Sequence, residues 1–146
     1  MPNTVKLHRV FAAKPEKVYK AFVDPDAKMR WLPPYGFVGK VHHYEAKVGV
    51  GYKMSFTNFS TGNSHGWTGK YLELSSERIR YTDTFDDPNM PGAMEVTVTL
   101  KKVLVGTEVH IEQANVPAAI PLEACYLGWQ QSLEQLGKLV EPEIPD

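Results

Sequence analysis

The sequence has a single cysteine, no long apolar run and no cluster of basic residues. Cys125 stands alone, so an internal disulfide is excluded. No apolar segment approaches the ~20 residues of a membrane-spanning helix, and the first residues lack the apolar stretch of a secretory signal. We therefore expect a cytoplasmic protein without membrane insertion. The net charge is −1, and no run of Lys or Arg exceeds two residues, which argues against nucleic acid as a partner.

Sequence motifs for metal binding, nucleophilic catalysis and phosphate binding are also missing. There is no HxH, HxxxH, CxxC or GxSxG, and the adjacent His42 and His43 would point to opposite faces of a strand. The glycines at 49 and 51 precede a strand rather than a helix, which is typical of a turn or bulge. We predict no metal, no cofactor and no catalytic residue.

The composition is that of an ordinary globular chain. Of 146 residues, 42% are hydrophobic and 23% are charged, which is typical of a folded domain with its own core. We expect residues 1–146 to form one domain, as a monomer or a homodimer.

One long amphipathic helix is predicted at the C-terminus, from Pro121 to Glu141. Its apolar residues recur at alternating spacings of four and three, which places them on one helical face; they are Leu122, Tyr126, Trp129, Leu133, Leu136 and Val140. At 1.5 Å per residue the helix would be about 30 Å long. A helix of this kind that follows a series of strands must bury its apolar face against a sheet.

The rest of the chain predicts strands, with two short helices near the start. A strand is expected at residues 4–12, a helix beginning near Pro15 and ending at Asp24-Pro25, and a second helix through 28–31. From Phe37 to Asn115 apolar and polar residues alternate between turn residues. Short connections imply antiparallel neighbours. The prediction is an α+β fold with an antiparallel sheet of six to seven strands.

Several segments, in this order, resemble one known family. They are Val18-Tyr19-Lys20-Ala21-Phe22 before Asp24-Pro25 and Trp31; Val48-Gly49-Val50-Gly51-Tyr52; Gly69 to Leu74 with Glu77 to Thr82; Val96 to Leu100 with Gly106 to Val109; and Gly128-Trp129 with Leu133 and Leu136. The chain resembles the SRPBCC (START-like, Bet v-like) superfamily, in its branch of activator of heat-shock-protein ATPase homologues.

This resemblance implies a helix-grip fold, in which a curved antiparallel sheet wraps around the C-terminal helix and two short helices follow the first strand. It also implies an apolar cavity between sheet and helix. Members of the superfamily bind lipids, sterols or polyketides, some are cyclases or dehydratases, and a subset are co-chaperones.

Alternation along the strands predicts which side chains would line such a cavity. An apolar small molecule is the expected partner, because aromatic and methionine side chains suit apolar ligands. The alternative is that the same side chains fill a solid core. The predicted ligand-binding residues are Trp31, Phe37, Met54, Phe56, Trp67, Tyr81, Asp83, Phe85, Met94, Gln113, Leu122, Tyr126, Trp129 and Leu133.

Two polar residues interrupt the apolar face, Asp83 and Gln113. A buried carboxylate or amide costs several kcal/mol without a partner. Either these groups orient a ligand, or Asp83 pairs with Arg80 or a backbone N–H while Gln113 bonds to sheet backbone. We expect Cys125 to be a packing residue, and Gly128 to admit a close approach of the sheet to the helix.

Three functions compete for this pattern. The first is binding of an apolar or aromatic, lipid-like molecule. The second is a cyclase or hydrolase that uses Asp83, Tyr81 or His65 as acid or base. The third is a co-chaperone or stress-response interaction protein. The first function is favoured, because it requires the fewest specific residues. The helix is then expected to serve the ligand at Trp129 and stability alone at Leu136.

Overall fold

The computed structural model describes residues 3–146. Its elements, in chain order, are β1 Asn3–Phe11, α1 Pro15–Val23, α2 Pro25–Trp31, β2 Phe37–His43, β3 Gly51–Asn58, β4 Ser64–Leu74, β5 Arg78–Phe85, β6 Met94–Val103, β7 Gly106–Val116 and α3 Leu122–Val140. The prediction of an α+β helix-grip fold is confirmed, with seven strands, two short helices after the first strand and a long helix at the C-terminus.

The seven strands form one curved antiparallel sheet in the order β1-β7-β6-β5-β4-β3-β2. From β2 to β7 each strand pairs with the next in sequence, as short hairpin connections require. The first strand instead pairs with the last, from Asn3 opposite Val116 to Phe11 opposite Thr107. This pairing brings the start of the chain next to the residues that lead into α3.

The C-terminal helix lies on the concave face of the sheet. Its buried apolar residues are Trp129, Leu133, Leu136 and Val140, as the spacing predicts. Pro121 precedes the helix with extended backbone, at φ −61° and ψ 136°, so the helix begins one residue later than predicted. At its other end, Glu141 accepts a hydrogen bond from the Ala12 N–H at 2.9 Å, which ties the helix to the end of β1.

A single aspartate separates the two short helices. The Asp24 N–H donates to the Lys20 carbonyl at 2.8 Å and closes α1. Its side chain accepts from the N–H groups of Asp26 and Ala27 at 3.0 and 3.1 Å and opens α2. An aspartate N-cap followed by proline is a strong helix start. The second helix therefore begins at Pro25 rather than at residue 28.

One continuous core joins the concave face of the sheet to the three helices. Among residues 3–146, no helix is both long enough and apolar enough to cross a membrane.

Candidate functional site

A pocket of about 280 Å³ lies between the concave face of the sheet and the first half of α3. Most of its wall is apolar, and a few polar side chains face it. The wall is formed by Leu32, Pro34, Phe56, His65, Trp67, Tyr81, Asp83, Phe85, Met94, Val96, Gln113, Ile120, Ala124, Cys125, Gly128, Trp129 and Ser132.

Helical periodicity explains which residues of α3 reach the pocket. Positions 124, 125, 128, 129 and 132 follow one another around a single face. A Cβ added at Gly128 would have Pro34 Cγ at 4.0 Å as its nearest neighbour. The prediction that the sheet presses against the helix at Gly128 is therefore wrong. This glycine instead leaves space inside the pocket.

The structure places eight of the fourteen predicted ligand-binding residues in the pocket wall. They are Phe56, Trp67, Tyr81, Asp83, Phe85, Met94, Gln113 and Trp129. Alternation along the strands found the first seven, because successive side chains of a strand point to opposite faces, and helical spacing found Trp129.

The other six predicted residues lie outside the wall. Met54 and Leu133 are fully buried in the core, and Phe37 packs beside Phe56 and His65. The hydroxyl of Tyr126 accepts from the Lys6 N–H at 3.2 Å. Trp31 is a core residue, and its indole N–H donates to the Ala21 carbonyl at 2.8 Å. Leu122 packs against the core.

A loop from Leu32 to Gly36 covers one side of the pocket, and α3 holds it in place. Ser132 Oγ donates to the Leu32 carbonyl at 2.6 Å. Gln135 Nε2 donates to the carbonyls of Trp31 and Pro33 at 3.0 and 2.6 Å. These bonds satisfy carbonyls that α2 leaves free at its end. Periodicity could not reveal Leu32 or Ser132 as wall residues, since neither stands out from its neighbours.

Replacing Gln135 by leucine is expected to lower the free energy of unfolding by about 1–3 kcal/mol, because two partly buried carbonyls lose their donor. Chemical denaturation measures this loss. Gln130 is exposed on the same helix, so Gln130→Leu serves as the matched control. Equal effects of the two substitutions would show that the loop is not held by these bonds.

Asp83 faces the pocket from the middle of β5. Its Oδ1 accepts a hydrogen bond from the Tyr52 hydroxyl at 2.6 Å. Arg80 instead forms ion pairs with Glu95 and Glu73. The alternative in which Asp83 pairs with Arg80 is therefore wrong. Residues 80 and 83 are an odd number of positions apart, so their side chains lie on opposite faces of the strand.

Lys28 is the functional candidate that sequence reasoning missed. It lies on α2 and is 1% exposed. Its Nζ lies 4.4 Å from the centre of the Tyr81 ring, and 5.4 and 5.7 Å from those of Tyr52 and Tyr71. Cation–π attraction to these tyrosines stabilises the buried ammonium. The sequence did contain one indication of this burial. Lys28 lies three residues before Trp31 and therefore shares the helical face that packs inward.

Burial shifts the pKa values of Lys28 and Asp83 towards each other. Burial raises the pKa of Asp83 to about 6, although the charge of Lys28 and the hydrogen bond from Tyr52 oppose the shift. Burial lowers the pKa of Lys28 to about 8, although the charge of Asp83 opposes this. At neutral pH both groups are therefore ionised and attract each other, although their charged atoms are not in direct contact.

Gly69 makes room for this cluster. It lies opposite Asp83 in the β4–β5 register. A Cβ at this position would overlap the carbonyl oxygen of Thr82, and it would lie 2.5 Å from Asp83 Oδ1 and 2.7 Å from Tyr52 Cζ. Only glycine allows Tyr52 and Asp83 to meet above β4.

Gln113 connects the sheet to α3. Its Oε1 accepts from Trp129 Nε1 at 2.9 Å, and its Nε2 lies 3.3 Å from Met94 Sδ. The predicted bond from Gln113 to sheet backbone is therefore wrong, and the partner is a side chain of the helix. This bond fixes the indole of Trp129 against the pocket.

Cys125 is partly buried and faces the pocket. Burial raises the pKa of its thiol, which keeps the sulfur protonated at neutral pH. This is consistent with a packing residue rather than a nucleophile.

Comparison with known proteins supports the architecture described above. A crystal structure of a protein from Chromobacterium violaceum is 56% identical, with a TM-score of 0.95, over 97% of this chain and 99% of the other. A crystal structure from Rhodobacter sphaeroides is 23% identical, with a TM-score of 0.82, over 93% and 90% of the two chains. A solution structure from Staphylococcus epidermidis is 20% identical, with a TM-score of 0.80, over 99% and 94%. The last two show the fold alone.

No curated protein matches the chain significantly. The family model described as "Activator of Hsp90 ATPase homolog 1-like protein" matches residues 12–141, which run from the end of β1 through the whole of α3. The chain belongs to the Activator of Hsp90 ATPase homolog 1-like family.

Proposed function

We propose that this protein binds an apolar or aromatic small molecule in the pocket between the sheet and α3. The observation that carries the proposal is the space itself. Phe56, Trp67, Phe85 and Met94 surround a volume of about 280 Å³ instead of filling it. The pocket is open to solvent on one side, and an apolar concavity with a few polar groups on its wall is typical of small-molecule sites.

The size of the pocket limits the ligand. Sites for small molecules usually enclose about 300–1,000 Å³, and this pocket, at about 280 Å³, lies just below that range. A compact aromatic or short-chain molecule fits such a volume better than a sterol or a long acyl chain. Trp67 and Trp129 offer flat apolar faces for stacking.

Native mass spectrometry of the protein purified from its host, without a denaturing step, is the direct test. A retained ligand is expected as a mass shift that disappears on denaturation. Thermal denaturation against a library of aromatic and lipid-like compounds gives the second measurement, since a ligand that binds only the folded state raises Tm. No mass shift together with no stabilising compound would contradict the proposal.

Asp83 gives a specific reason for a second candidate function, that of an enzyme. Its carboxyl lies on the pocket wall, and its pKa of about 6 suits a general base near neutral pH. His65 and Tyr81 lie on the same wall. Conversion of a bound molecule that stops when Asp83 is replaced would support catalysis. Recovery of the ligand unchanged after long incubation would exclude it.

A further inference from the structure

The orientation of the Gln113 amide is determined by its neighbour. The indole N–H of Trp129 can only donate, so the atom facing it at 2.9 Å must be the carbonyl oxygen of Gln113. The amide N–H₂ group is then directed elsewhere in the pocket wall. Among residues 3–146, its acceptor is the thioether sulfur of Met94, at 3.3 Å. A thioether is a weak acceptor, so a ligand oxygen would be a better partner.

Asp83 can accept hydrogen bonds from a ligand, whereas the Gln113 amide can donate one. An ionised carboxylate accepts about four hydrogen bonds and donates none. Within the described part of the chain, Asp83 accepts one, from Tyr52 to Oδ1. Asp83 feels the charge of Lys28, and its side chain is only partly buried and lines the pocket. A ligand hydroxyl or ammonium would therefore meet a charged acceptor with capacity to spare.

The register of the sheet sets the distance between these two groups. Asp83 is opposite Met94, and Gln113 is opposite Val96, two residues further along the same face of β6. The backbones of Asp83 and Gln113 are therefore two inter-strand spacings apart across the sheet and two residues apart along the strand direction. Together these offsets give a separation of roughly 12 Å. Both side chains line the pocket. Between them the wall is apolar, formed by Tyr81, Met94 and Val96.

We propose that the pocket holds its ligand at two points, with Asp83 accepting a hydrogen bond at one end and the Gln113 amide donating one at the other. This inference rests on the function proposed above and names the class of ligand. The ligand is an elongated apolar molecule with a hydroxyl or ammonium group at one end and a carbonyl-type oxygen at the other.

Four naphthalenes test this inference. The first carries a hydroxyl and an acetyl group at opposite ends of the two rings. The second keeps only the acetyl group, the third keeps only the hydroxyl with ethyl in place of acetyl, and the fourth has ethyl alone. Isothermal titration calorimetry measures Kd for each. The first compound is expected to bind tightest, and removal of either polar group should weaken binding about tenfold.

Two variants assign each group to its partner. In Lys28→Met/Asp83→Leu, which removes the two opposite charges together, removal of the hydroxyl should change Kd by less than about twofold. In Gln113→Met, removal of the acetyl group should no longer weaken binding, whereas removal of the hydroxyl should still weaken it.

The outcomes separate this inference from the function on which it rests. Equal affinity of the wild-type protein for all four compounds would overturn two-point recognition and leave apolar binding intact. Binding of none of them would count against both. A hydroxyl advantage that survives in Lys28→Met/Asp83→Leu would overturn the assignment to Asp83. The comparison among ligands of the wild-type protein is informative even if a variant fails to fold.

Discussion

Replacing Asp83 by leucine is expected to lower the free energy of unfolding by about 3–5 kcal/mol, because it leaves the ammonium of Lys28 buried without its counter-charge. Lys28 is 1% exposed and sits among the rings of Tyr52, Tyr71 and Tyr81. The three rings attract the cation, but they do not replace a carboxylate. Chemical denaturation at pH 7 measures the loss.

The double variant Lys28→Met/Asp83→Leu is expected to recover most of this stability, and to unfold within about 1 kcal/mol of wild type or above it. Apolar side chains of similar volume commonly replace a buried ion pair without loss, because they avoid the desolvation of two charges. If the double variant is as unstable as Asp83→Leu, then the uncompensated charge of Lys28 is not the source of the loss.

The pH dependence gives an independent check with a definite sign. The pKa of Asp83 is raised from 3.8 to about 6, so the folded state binds the extra proton and wild-type stability falls as pH rises from about 4 to 6. The pKa of Lys28 is lowered from 10.5 to about 8, so stability rises again above pH 8. Burial raises the pKa values of Tyr52, Tyr71 and Tyr81, which keeps these neighbours neutral in the folded state over this range.

The difference in unfolding free energy between the wild-type protein and the double variant isolates the titration of Lys28 and Asp83. Relative to the double variant, the wild-type protein should be least stable between about pH 6 and 8, where both groups are charged. A difference that does not change from pH 4 to 9 would show that the two groups titrate normally.

Replacing Trp129 by alanine is the second change with a large expected effect, a loss of about 3–5 kcal/mol. Trp129 is 8% exposed, faces the pocket and donates to Gln113. Its removal should also change the affinity for the naphthalene that carries both polar groups, since it enlarges the pocket and frees the Gln113 carbonyl. Denaturation and calorimetry on the same preparation measure the two effects.

Leu136→Ala is the matched control on the same helix. Leu136 is fully buried and lies outside the pocket wall, so a loss of about 2–5 kcal/mol is expected without a change in Kd. Trp129→Phe separates the indole N–H from the ring, because it keeps the aromatic surface and removes the donor. If Leu136→Ala alters the affinity as much as Trp129→Ala does, the division of α3 into a ligand half and a stability half is wrong.

Local pattern predicted much of the candidate site as well as the fold. The period of two along β5 places Tyr81, Asp83 and Phe85 on one face, and all three line the pocket. The helical period does the same for Trp129. Side chains whose role depends on a distant element were harder to find. Lys28 looks like a surface lysine in a short polar helix, and only the packing of α2 against the tyrosines of the sheet encloses it.

The sequence by itself determined the elements, their order, the antiparallel sheet and the buried face of α3, because these depend on the spacing of apolar residues and on local turn and cap residues. Only the tertiary structure decided that Asp83 bonds to Tyr52 and feels the charge of Lys28 rather than pairing with Arg80, that Gln113 bonds to Trp129, and that Gly128 opens onto a pocket. The physical reason is that polar partners and empty volume arise between elements distant in the chain. Periodicity shows which face a residue occupies, but it contains no information about what lies opposite that face.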